Sequence, residues 1–228
     1  MDPIIILNNS KAMSHFYDWK PVIMALEKQV KQVADTWYIE APVIEAYVTK
    51  LDSTLKNIRI IELTDAADVK DADGYHSESS NGVAFAKVFV GPILANGGGV
   101  PATVSHEIIE MMINPYANRW VHNDGDGFDY AEEIADPVQE QTYEIDGVAV
   151  SNFVTPDWFD ERAASWRKFD YLKNLSEPFR ISEGGYMIRK QSGTVQQVFG
   201  RTCPEWKRML KKTTGRYIDI CGKMGIKT

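Results

Sequence analysis

Long apolar runs are missing from these 228 residues. None approaches the roughly 20 consecutive apolar residues that a helix needs to cross a bilayer, so no membrane partner is expected. The opening Met1-Asp2-Pro3-Ile4-Ile5-Ile6-Leu7 lacks the basic stretch of a secretory signal, and its apolar part is too short for one. A first strand, in a product made in the cytoplasm, is the expectation. Cysteine is scarce: Cys203 and Cys221 are the only two. They make no disulfide framework, and their spacing fits no zinc knuckle. Reduced thiols are expected, with a single bridge near the end as the alternative. Internal repeats and low-complexity segments are lacking. So are a Gly-x-Ser-x-Gly elbow and a reactive Cys/His pair. Asn96-Gly97-Gly98-Gly99 is not followed by Lys-Ser/Thr, which excludes a phosphate cradle.

Positive charge is also in short supply, and it is unevenly placed. Between Gly200 and Thr228 eight basic residues face Glu205 and Asp219, a net of +6 within a whole-chain charge of −7, so the remainder carries −13. An acidic body is a poor match for duplex nucleic acid, because phosphate binding needs a basic surface. Only the basic tail offers a place for nucleic acid or an acidic neighbour, and a solvated amphipathic helix is its plainer reading.

What is present is the composition of an ordinary globular chain, 44% hydrophobic and 25% charged, long enough to bury a core. Ile4–Leu7 is apolar without alternation, as a buried strand is. From Phe16 to Tyr38 the apolar positions Phe16, Trp19, Ile23, Leu26, Val30 and Val33 recur at helical spacing, with Ser14 as the expected cap and Pro21 in the first turns. Residues 41–48 and 58–63 read as extended, and 65–80 as a polar loop. Val83–Val90 is a strong strand. Pro101 opens a helix that Pro115 stops. Residues 122–129 form a wet loop and 130–135 a short helix. Residues 143–150 form a hairpin turning at Asp146-Gly147, 158–175 a helix, and 182–198 a second hairpin. The fold class is α+β, with a domain over 1–175 and an extension with the basic tail over 176–228.

The chemistry gathers on the helix from Val100 to Asn114. Val104, Ile108 and Met111/Met112 share one side, and His106 and Glu110, four apart, share another. An imidazole and a carboxylate so placed can reach one divalent ion. Glu107 projects beside it, where a carboxylate that does not ligate can accept a proton from water. His76 either supplies a further ligand, hydrogen-bonds a developing oxyanion, or is an ordinary loop histidine. His122 reads as an exposed loop histidine. Asn123–Asp129 has alternating carboxylates like a calcium loop, without the full spacing or the bidentate Glu. Trp158, Phe159 and Trp166 read as core, with Asp157 and Asp160 capping and decorating their helix.

His106-Glu107-Ile108-Ile109-Glu110 resembles the H-E-x-x-H helix of the zincin metallopeptidases, with one substitution. The thermolysin-like branch of that family takes a further Glu ligand from a second helix, with an Asp one turn later. The resemblance places Glu133 (alternatively Glu132) as that ligand and Asp136 as the group orienting His106. It implies a mixed sheet whose edge strand, here Val83–Val90, binds the substrate backbone. Residues 105–115, Tyr75-His76, Glu133–Val138 and Gly147–Ser151 are also similar to a group of bacterial and phage proteins with an H-E-x-x-E helix, a likeness that brings no activity with it. Together these imply a metal-dependent peptidase in which His106, Glu110 and Glu133 hold the ion and Glu107 and His76 act on the substrate. The alternative is a non-catalytic virion or structural protein of the same fold. Glu110 in place of His makes the site harder and more anionic. The resemblance implies Zn²⁺, and the harder set makes Mn²⁺ or Fe²⁺ acceptable. Expected partners are a peptide or protein substrate, or other virion proteins.

Overall fold

A computed structural model describes residues 2–15, 19–47, 57–69 and 72–200. The expectations for the basic tail, Cys203 and Cys221, and Phe16 as a helix position lie outside the described residues. In chain order the elements are β1 (Ile4–Asn8), α1 (Lys20–Trp37), β2 (Ile44–Tyr47), β3 (Arg59–Thr64), β4 (Gly74–Glu78), β5 (Ala84–Phe89), α2 (Val90–Ala95) and α3 (Val100–Ile113). After them come β6 (Trp120–Asn123), β7 (Phe128–Ala131), β8 (Thr142–Ile145), β9 (Val148–Ser151), β10 (Tyr186–Gln191) and β11 (Thr194–Phe199). The chain is thus mixed α/β with few helices. Among the described residues no helix is long and apolar enough to cross a membrane. The chain divides into two compact units, the first formed by Met1–Tyr116 with Thr142–Ser151, the second by the rest.

The first unit is built on a five-stranded sheet in the order β2-β1-β3-β5-β4. β2, β1, β3 and β5 run parallel, and β4 closes one edge antiparallel to β5. The interior strand β1 is apolar because both its faces are covered: Ile4, Ile5 and Ile6 are all buried. In α1 the buried positions Val22, Ala25, Leu26, Gln29, Val30, Val33 and Ala34 form one stripe at helical spacing. Pro21 lies in its first turn, and Tyr38, in the left-handed region at φ 55°, ends it. Trp19 rather than Ser14 stands at the helix start, since the helix begins later than the apolar spacing suggests. The β8–β9 hairpin turns at Asp146 and Gly147, φ 51° and 80°, the pair of positive φ values a two-residue primed turn needs. Ala25 of α1 packs with Ile145 and Val150 of this hairpin.

Three expectations are corrected. The loop at 65–80 contains a strand, β4, so β5 is an interior strand and the sheet edge lies at Gly74–Glu78. The short helix at 130–135 is absent. Val121 and Tyr130 pair as strand neighbours, the Glu132 amide extends that ladder to the Arg119 carbonyl at 3.1 Å, and Pro137 sits in a 3₁₀ turn over Asp136–Val138. The helix at 158–175 is a single 3₁₀ turn, Pro156–Phe159, followed by irregular chain. There the backbone is drawn into bonds elsewhere, Thr155 N to Phe169 O at 3.0 Å and Tyr171 N to Phe153 O at 2.8 Å. The fully buried Asp170 accepts from the amides of Leu172 and Leu175.

The second unit carries the antiparallel sheet β11-β10-β7-β6. Tyr130 stacks within 4.4 Å of the Phe179 ring, and Trp158 lies 5.3 Å from the same ring.

Candidate metal centre

Helix α3 is buried nearly all round. Val104, Ile108, Ile109 and Met111 are fully covered, so is Ser105 among the polar residues, and Glu107 and Glu110 are buried. Such burial of carboxylates demands partners, because an ionised group away from water is costly unless compensated. Two contacts hold the helix in place, one of them backed by a further bond. Ser105 Oγ accepts the Ser151 amide of β9 at 2.7 Å. Ser151 in turn gives its carbonyl to Gln29 Nε2 of α1 at 2.8 Å. Arg59 of β3 donates to the Met111 carbonyl in the last turn, where helix carbonyls carry partial negative charge.

The buried carboxylates meet an imidazole from the sheet. His76 Nδ1, on β4, lies 3.5 Å from Glu107 Oε2 and 3.4 Å from Glu110 Oε2. His106 Nε2 stands 3.3 Å from the other oxygen of Glu110. Burial works against ionisation of Glu110, and the imidazoles of His106 and His76 outweigh it, holding the carboxyl below the usual carboxylate range. Donor atoms of His76, Glu107 and Glu110 all lie within 4.8 Å of one another. Glu107 Oε2 is buried and accepts no hydrogen bond among the described residues.

This group can hold a divalent metal. A tetrahedral shell with bonds of about 2.0–2.2 Å has ligand–ligand edges of roughly 3.3–3.6 Å. The two separations from His76 Nδ1, 3.4 and 3.5 Å, fall in that interval. The far ring nitrogen, His76 Nε2, lies 3.0 Å from the Asn114 carbonyl and donates to it. That is the pattern by which a backbone carbonyl fixes a ligating histidine.

Of the expected site residues, His106 lies against Glu110 one helical turn on, and Glu107 and Glu110 lie against His76 of β4. Glu132, Glu133 and Asp136 belong to the second unit. Glu132 pairs with Arg119 Nε at 2.7 Å. Glu133 follows in irregular chain, and Asp136 opens the 3₁₀ turn; both are buried. His122 is exposed and paired through Nδ1 with Asp129 at 2.7 Å. The stretch resembling a calcium loop is the β6–β7 turn. Asn123 Oδ1 accepts the Gly125 amide at 2.9 Å, and Asp126 takes the Phe128 amide at 3.1 Å and the Tyr130 hydroxyl at 2.6 Å. Asn114, which fixes His76, was missed by sequence reasoning. Its signal is only its place at the end of α3, because the group used is a backbone carbonyl. Comparison with protein-family models, with curated proteins and with solved structures returned no match.

Proposed function

We propose that the chain is a metal-dependent hydrolase of the peptidase class, of zincin type, with its centre on α3. The observation that carries this reading is the gathering of the buried Glu107 and Glu110 with His76 at shell spacing, with His106 against the other oxygen of Glu110. His106 and Glu110 are metal donors. A divalent cation there, Zn²⁺ first and Mn²⁺ or Fe²⁺ next given the carboxylate-rich set, supplies Lewis-acid polarisation of a carbonyl. Glu107 accepts the proton of the attacking water and returns it to the leaving amine. Strand β4 has one described neighbour, β5, so its other side offers backbone groups to an extended peptide.

The test is incubation of the metal-loaded protein with a broad peptide library beside Glu107→Gln. Cleavage by the wild type, reduced on the order of 10²–10⁴-fold in a variant that still binds metal at saturation, supports the reading. Equal background in both overturns it. A second reading, a structural ion in a non-catalytic virion protein, is favoured by one observation: His76, Glu107 and Glu110 are only 6%, 4% and 3% exposed. In that case Glu107→Gln changes stability and nothing else.

A further inference from the structure

We propose that His76 is itself a metal ligand through Nδ1, so that the sheet-edge strand β4 is part of the metal centre and is locked by the ion. The inference rests on the metal reading of α3 given above, and extends it from one helix to a helix and a strand. Four observations carry it.

The ring is already aimed. Nε2 donates to the Asn114 carbonyl at 3.0 Å, which leaves Nδ1 as the atom facing Glu107 and Glu110. Its 3.4 Å distance to Glu110 Oε2 is that of neighbouring corners of a coordination shell, and Glu107 Oε2 stands alongside at 3.5 Å. Glu107 Oε2 is buried there without a hydrogen bond among the described residues, so a cation beside it compensates a group that would otherwise be costly. Finally, β4 makes room for that carboxylate. Gly74 stands on the same strand face two residues before His76, and a Cβ on it would come within 2.7 Å of Glu107 Oε1 and 2.9 Å of the Lys87 carbonyl. One strand thus supplies a ligand and the space that the neighbouring carboxylate occupies.

The mechanical consequence follows from topology. β4 is an edge strand, paired with β5 alone among the described residues. An edge strand frays more readily than an interior one. A bond from His76 to an ion also held by α3 ties that edge to the buried helix. Ion binding therefore orders the strand that the proposed function assigns to the substrate backbone.

The test is a Zn²⁺ titration of the full chain, wild type against His76→Asn, with amide hydrogen exchange read over residues 74–78 before and after metal. Tyr75→Phe, on the opposite strand face, is the control for mere perturbation of β4. The expected result is a loss of Zn²⁺ affinity of at least about 100-fold in His76→Asn, with Tyr75→Phe near wild type. Exchange at 74–78 should slow on adding Zn²⁺ in the wild type and not in His76→Asn. Wild-type affinity in His76→Asn, or exchange at 74–78 indifferent to Zn²⁺, overturns the proposal while leaving a metal on α3 intact. A wild type that binds no Zn²⁺ overturns both. Metal binding and strand ordering without any peptide cleavage support this inference and overturn only the hydrolase reading.

Discussion

At the scale of single residues, charge compensation is the recurring theme. Asp65 closes the end of β3 by accepting from Ser10 Oγ and from the amides of Ala12 and Lys11, the latter at 3.1 and 2.9 Å. Those bonds, the one from Ser10 foremost, hold its carboxyl below the ordinary range. A depressed folded-state value means the contribution is complete above the unfolded carboxylate pKa and is lost as pH falls through the folded value. Asp65→Asn should therefore lower the urea midpoint at neutral pH, and the two curves should converge in acid; a constant gap at all pH values would contradict this. Gly74→Ala should cost about 1–3 kcal/mol in thermal or urea unfolding, since its methyl meets backbone as well as the Glu107 carboxylate. It should also weaken metal binding without removing a ligand. The meeting of His106 with Glu110 was legible in the sequence, because the pair needs only helical i,i+4 spacing. His76 was legible only as one of three roles, since its place depends on a strand pairing distant in sequence.

At the scale of elements, the readable ones announce themselves by apolar spacing. The stripe of α1 and the unbroken apolar run of β1 are of this kind, and the β8–β9 turn shows in Asp146-Gly147. The elements misread were those whose backbone partners lie elsewhere. Gly74-Tyr75-His76-Ser77-Glu78 is polar and low in strand propensity, and it becomes a strand because β5 offers a ladder. Tyr130–Ala135 contains helix-compatible residues, yet its first residues belong to a hairpin with β6 and Pro137 bars a longer helix. Helix α3 was read as two-faced and is buried on almost every side, so its attachments matter. Ser105→Ala leaves the buried Ser151 amide without its acceptor, for which ~1–3 kcal/mol of lost stability is expected with metal stoichiometry unchanged. Loss of the metal in a folded Ser105→Ala variant would show that α3 needs this bond to hold the site. Leu26→Ala in α1, at a fully buried position, should cost ~2–5 kcal/mol by the same unfolding measurements.

At the scale of the whole molecule, the ordinary apolar content indicated a packed chain and the succession of strand and helix patterns a mixed α/β one, while the two units do not show in the sequence because the first is completed by a returning segment, Thr142–Ser151. Composition cannot reveal such a return; it depends on Ser151 reaching both Ser105 and Gln29. The account stands on the claim that the buried group at α3 holds a divalent ion. Its most direct test is metal analysis of the purified full chain after equilibration with Zn²⁺ and removal of excess, beside Glu110→Gln. The account predicts roughly one ion per chain in the wild type and its loss in a folded Glu110→Gln variant. A wild type that retains no metal, or a variant that retains as much, would contradict it.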